Sequence, residues 1–161
     1  MRRIIFTILT IIWMTVIFWF SANPADESTE MSHSVGKVIG HYFVDGYDDW
    51  PEERQIEYAD RIDYPVRKCA HAMEYAVLGF LLVAALCDNA WEERKRIILC
   101  IALGVIYACS DEFHQLFVPG RSGQISDVLL DSCGVLAGIA AGWIALFLFR
   151  SKKTSSSISS E

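Results

Sequence analysis

The chain has 161 residues, 53% of them hydrophobic, a formal net charge of −6 and a positive mean hydropathy. Its apolar residues fall in long blocks instead of recurring over amphipathic elements, which excludes an ordinary soluble domain. The acidic balance, concentrated in one loop, excludes nucleic acid as a partner.

The first block, residues 4–20, IIFTILTIIWMTVIFWF, contains no charge and approaches the roughly 20 apolar residues that a hydrocarbon core requires. Met1-Arg2-Arg3 is similar to the start of a signal peptide. The apolar run is nevertheless longer than a usual h-region, and SANPADES offers no Ala-x-Ala-type cleavage site, so the block reads as a retained anchor.

Residues 21–68 form a polar segment with its own local order. Met31, Val35, Val38, Ile39, Tyr42 and Phe43 fall at helical spacing and make one apolar stripe. Such a stripe suits a lid packed on the helix ends, or a helix lying in the outer leaflet. A second short helix is expected to start near Pro51 and run through EERQIEYADRI. Tyr47 and Trp50, between the two, suit a bilayer interface.

The second span is 69–87, CAHAMEYAVLGFLLVAALC, which carries His71 and Glu74. Residues 97–110 are too few to cross alone. The third span must therefore continue through DEFHQLFV to 118, where Pro119-Gly120 stops it. The fourth, 128–149, contains Asp131 as its one charge, and the tail, 151–161, is low-complexity and expected to be disordered. The fold class that follows is all-α: a polytopic membrane protein of one domain over 1–150, a four-transmembrane-helix bundle with a helical extracytoplasmic segment between helices 1 and 2. The five cysteines lie in or beside the spans and read as packing residues, not a disulfide framework.

Orientation follows from the basic residues. With both termini cytoplasmic, the short inner pieces hold eight of the fourteen Lys and Arg residues, at Arg2, Arg3, Arg94, Lys95, Arg96, Arg150, Lys152 and Lys153. The segment 21–68 holds five basic and eleven acidic residues. That asymmetry fits the positive-inside bias, against which Arg67 and Lys68 stand.

Counting at about 1.5 Å per residue from the inner ends puts Glu74 and Asp111 roughly 21 Å up, His71 and His114 roughly 25 Å, and Asp131 roughly 28 Å. These depths lie in the outer third of a core about 30 Å thick. Helical phase agrees. Arg67, His71, Glu74 and Tyr75 share one face; so do Tyr107, Asp111, His114 and Gln115, with Glu112 one position off it. Asp127, Asp131, Gly134, Gly138 and Gly142 form a third stripe, whose glycines allow a close helix approach. Charges facing lipid cost about 2.5–3.5 kcal/mol or more each, so these residues are expected to converge inside the bundle. One such ion pair could merely set helix register. The whole set exceeds what register needs and reads as a site.

The blocks RKCAHAMEYAVLG at 67–79, YACSDEFHQLFVPGR at 107–121 and SDVLLDSCG at 126–134, with FWFSANP at the end of the first span, resemble the signatures of the VanZ-like membrane proteins. The resemblance covers nearly all of 1–149, and departs in having Asp131 where many members carry Asn. It implies a bacterial cytoplasmic-membrane protein of the cell envelope, in a family associated with resistance to the glycopeptide teicoplanin. It implies no reaction.

Chemistry must come from residue types. Arg67, Lys68 and Arg121 at the outer helix ends suit a phosphate. Below them, His71, Glu74, Asp111 and His114 could act in proton transfer or nucleophilic attack, with Tyr75, Gln115, Asp127 and Asp131 beside them. The expected ligand is a phosphate-bearing, lipid-linked envelope substrate among the membrane lipids, which the site binds, with its hydrolysis or transfer left open. The other reading is a binding or shielding protein for anionic envelope lipids or polymers. His71, Glu74, Asp111, Glu112 and His114 could also hold a metal, against which the nearby basic residues weigh; no metal and no cofactor is assigned.

Overall fold

The structure, a computed structural model, describes residues 1–87 and 92–158, with side chains as far as Phe149. Five α-helices make up the described chain: α1 (Arg2–Ser21), α2 (Ala25–Phe43), α3 (Glu52–Leu86), α4 (Glu93–Gln115) and α5 (Ile125–Ile158). A short 3₁₀ turn, Tyr47–Asp49, precedes α3. Of these, α1, α3, α4 and the Ile125–Phe149 part of α5 are long and apolar enough to cross a bilayer. The described chain is therefore all-helical, with four helices suited to span and a helical excursion after the first.

Several expected boundaries change. The helix starting after Pro51 and the second span are one 35-residue helix, which runs through Pro65. At about 1.5 Å per residue it is about 52 Å long, so it outruns a hydrocarbon core about 30 Å thick. The third span stops at Gln115, three residues before the expected 118, because its last turn tightens: Phe117 N–H donates to the His114 carbonyl and Val118 N–H to that of Gln115. The short inner piece expected to hold Arg94, Lys95 and Arg96 is helical from Glu93, where α4 begins, and at the C-terminus α5 carries helical backbone to Ile158, into the segment expected to be disordered; residues 88–91 and 159–161 lie outside the described residues.

The four spans alternate in direction, with α3 at the centre touching α1, α2, α4 and α5. Its most extensive partner is α5. The bundle is inverted relative to a water-soluble one. Ile4, Ile8, Ile12, Leu103, Ile106, Leu136 and Ile144 face outward, whereas Gly104, Ala108, Asp111 and Asp131 are buried. In lipid the apolar surface needs no cover, so the interior is free for small residues that allow close packing and for polar ones that need partners. A Cβ on Gly134 or Gly138 would run into the backbone carbonyl of Ala72 or Ala76, and one on Gly142 would meet Val83 at 3.0 Å. The predicted glycine stripe is thus the surface on which α5 meets α3.

Two hydrogen bonds fix α1 to this core. Trp13 Nε1 donates to the Glu74 carbonyl at 2.8 Å, and the Tyr107 hydroxyl to the Met14 carbonyl at 2.5 Å. At the other end of the bundle, Arg96 Nη1 donates to the Cys87 carbonyl at 2.6 Å, capping α3.

Helix α2 folds back on the part of α3 that precedes Arg67. The face it buries is Ser32, Gly36 and Gly40, against Ala59, Ile62 and Tyr47, and not the apolar stripe. Met31, Val35, Val38, Tyr42 and Phe43 are exposed, so the stripe does not seat a lid. Small residues win this contact because they let two helix backbones approach, and Gly40 leaves the space that the Tyr47 ring fills. Tyr47, expected at a bilayer interface, is buried instead in a cluster with Trp50 and Tyr58 at the tip of the hairpin. Arg54 lies over Trp50 at 3.9 Å and closes that cluster.

Candidate functional site

Antiparallel packing brings the end of α1, the middle of α3, the end of α4 and the start of α5 to one level, beside the base of α2. Pro119-Gly120-Arg121 connects α4 to α5 there. Gly120 has φ +73°, a left-handed conformation that glycine adopts at no steric cost, and it lies against Ala25, whose N–H donates to the Pro119 carbonyl at 3.2 Å. Arg121 then reaches across to α1. Its Nε donates to the Asn23 carbonyl at 2.9 Å and Nη2 to the Phe20 carbonyl at 3.3 Å. It caps α1 through the tertiary fold and does not cap the helix that precedes it in sequence.

The other two rim cations are also engaged. Arg67 Nη2 lies 2.8 Å from Asp63 Oδ2, and Asp63 also accepts from the Ser32 hydroxyl of α2. Lys68 pairs with Asp127 on α5. The guanidiniums of Arg67 and Arg121 nevertheless sense one another: burial first, and then the charge of Arg67, push the Arg121 pKa below its ordinary value.

Two cavities meet at this rim. One, of about 190 Å³, is lined by Tyr64, Lys68, Gln115, Gly120, Ser122, Gln124 and Asp127 together with Arg67, His71 and Arg121. The other, of about 270 Å³, is lined by Phe20, Met31, Val35, Val66 and Ala70, with Ser28, Ser32 and Glu74, and again by Arg67, His71 and Arg121. The first is polar and the second largely apolar. Met31 and Val35, the first members of the α2 stripe, form a wall of the apolar one.

Beneath the rim, α3, α4 and α5 contribute His71, Asp111 and Asp131. One ligating atom from each lies within 4.8 Å of the others, and this is the set, among the described residues, that could hold a metal ion. Tyr75 is fully buried and joins them from below, its ring 6.1 Å from Tyr107. Gln115 Nε2 donates to Asp111 Oδ2 at 3.3 Å and to Glu112 Oε1 at 3.1 Å.

The geometry sorts the candidate residues. Arg67, Lys68, His71, Gln115, Arg121 and Asp127 line the polar cavity, Glu74 lines the apolar one, and Asp111, Asp131 and Tyr75 lie behind them. His114 is not brought to His71; its ring stacks on Phe18 of α1 at a centroid distance of 4.4 Å and lines neither cavity. Glu112 is buried although it leaves the shared face of α4. Its Oε2 accepts the Gln124 N–H at 2.9 Å, which tethers the start of α5. The possible metal ligands therefore shift from the sequence set to His71 and Asp111 with Asp131, because Glu112 and His114 serve contacts elsewhere.

Asp63 escaped the sequence reading, although its position four residues before Arg67 was a readable ion-pair signal. Asn23 and Phe20 could not have been found, since they act through carbonyls that only the fold brings to Arg121.

With the bundle and its polar site defined, the sequence matches the VanZ/LLP1 family profile over residues 6–150. The chain belongs to the VanZ/LLP1 family. No curated protein and no solved structure matches it. The family match covers α1 from residue 6 onward, the other three apolar helices, α2 and every residue of the site, so this VanZ/LLP1 chain is a membrane protein whose polar cluster falls wholly within the family region.

Proposed function

We propose that the protein lies in the cytoplasmic membrane with both termini inside, and that its rim of Arg67, Lys68 and Arg121 faces outward and binds a lipid carrying a phosphate or pyrophosphate. The observation that carries this reading is the junction of a polar and an apolar cavity at Arg67, His71 and Arg121. An amphiphile needs both. Its chain takes the apolar groove between α2 and α3, its head group takes the polar cavity, and its anion sits where two guanidiniums of like charge lie close together. An anion between them relieves their repulsion and accepts charge-assisted hydrogen bonds.

The distribution of Lys and Arg supports the orientation, and the association of VanZ-like proteins with teicoplanin resistance suits a site acting on envelope lipids at the outer face. Phosphoryl hydrolysis or transfer is the reaction that the arrangement suits: cations spread over the phosphate oxygens, with a histidine and carboxylates directly behind. Binding without turnover defines the shielding alternative.

The test is binding of polyprenyl phosphate and pyrophosphate to the purified protein, with phosphate release followed in the same samples. Arg67→Gln is expected to weaken binding about 10- to 100-fold, the worth of one charge-assisted hydrogen bond. His71→Ala is expected to abolish phosphate release if turnover occurs. Equal affinity of wild type and Arg67→Gln sinks the lipid-phosphate reading, whereas tight binding with no release in wild type establishes the shielding form of it.

A further inference from the structure

We propose that His71, Asp111 and Asp131 bind one divalent transition-metal cation, of the Mn²⁺ or Zn²⁺ type, at the centre of the bundle beneath the Arg67 and Arg121 rim. One imidazole and two carboxylates from three different helices converge so that their ligand atoms lie within 4.8 Å of one another. Metal–ligand bonds of about 2.1 Å place neighbouring ligand atoms about 3 to 4 Å apart, so small side-chain rotations close the set. Mixed nitrogen and oxygen donors are what these ions accept.

The second observation is independent of that spacing. Asp131 is fully buried and neither of its oxygens has a hydrogen-bond partner; Asp111 Oδ1 and His71 Nδ1 are likewise buried and unpartnered. The hydroxyl of Tyr75, also fully buried, sits beside Asp111, so the two carboxylates share the site with a neutral group and no cation. Burying carboxylates without partners is costly, and side by side they repel.

The cations that could answer them are used elsewhere: Arg67 on Asp63, Lys68 on Asp127, and Arg121 on the carbonyls of α1. Among the described residues, no Lys or Arg forms an ion pair with Asp111 or Asp131. A divalent cation supplies the missing charge. Gln115, donating to Asp111 Oδ2, holds that carboxylate with Oδ1 free, which is the orienting role that outer residues play around bound metals. The cation site rests on its own geometry; taken with the lipid reading, it places the ion under the phosphate.

The experiment uses full-length protein in detergent, stripped with chelator and dialysed against Mn²⁺ or Zn²⁺, with bound metal counted by elemental mass spectrometry. Wild type and His114→Ala are expected to keep one equivalent, and Asp131→Asn and His71→Gln less than a tenth of that. Melting is followed alongside, because either ligand variant can alter folding. Wild type should melt higher with metal than without, and Asp131→Asn should show no such response. Wild type that binds no metal and shows no metal-dependent shift overturns the proposal and leaves a proton shared between the two acids. Metal retained equally by Asp131→Asn overturns it as well. Neither readout contains lipid, so failure here and failure of lipid binding are separate results.

Discussion

Arg121 sits in a connecting loop, yet two of its nitrogens hold the end of α1, and it lines both cavities. Its loss should therefore show in stability as well as in binding. Arg121→Ala leaves two carbonyls without their donor and is expected to cost about 1.5–3 kcal/mol, read as an earlier midpoint in denaturant unfolding of the detergent-solubilised protein. Glu112→Ala frees the Gln124 N–H and unties the start of α5, with an expected loss of about 1–3 kcal/mol. Because Glu112 lines neither cavity, lipid affinity per folded molecule should stay within about twofold; a larger fall would place Glu112 in the binding machinery. His114→Ala removes a ring that packs on Phe18 and should leave phosphate-lipid affinity unchanged, measured by the same titration as for Arg67→Gln.

Among the elements, the α3–α5 contact decides where the acids stand. The stripe that carries Asp131 continues through Gly134, Gly138 and Gly142, so the faces that allow the closest approach also deliver the carboxylate. A side chain at Gly138 meets backbone on the opposite helix, at the Ala76 carbonyl and the Phe80 N–H, and backbone has little room to yield. Gly138→Ala is expected to destabilise by about 1–3 kcal/mol through overpacking, and Gly138→Leu by more. If the glycine stripe also sets the site, the alanine variant should lose bound metal in proportion. Unaltered melting in Gly138→Ala would mean that the helices lie further apart than the structure has them. The α2–α3 hairpin shows the same economy: its contact uses Ser32, Gly36 and Gly40, and the long side chains of α2 stay outside.

For the whole molecule, the proposed outward-facing rim sets which surfaces can be reached from outside the cell. With the five native cysteines replaced, Val38→Cys on the exposed face of α2 should be labelled by a membrane-impermeant maleimide in intact cells. A fluorescent protein fused after the tail should stay bright, as it does when folded inside. Labelling only after permeabilisation would invert the topology and move the site to the inner leaflet.

At this scale the sequence determined the class, the four spans and the helical excursion, since block length against bilayer thickness needs no tertiary information. It also determined which faces of α3, α4 and α5 carry the polar residues, because helical phase follows from spacing alone. Only the tertiary structure decided the partners. Arg67, Lys68 and Arg121 looked free for a ligand, and each is held by a group far away in sequence or a turn away on its own helix. His114, in phase with Asp111, turned out to pack on α1, while Glu112, out of phase, was drawn inward by the loop it tethers. The continuity of α3 through Pro65 was likewise not readable from spacing, since a proline inside a helix ordinarily kinks or ends it, and here α3 runs on with α2 packed against it. Periodicity tells a chain which sides of its helices are polar; which polar groups meet depends on how closely the helices approach, and here that is settled by glycines meeting backbone.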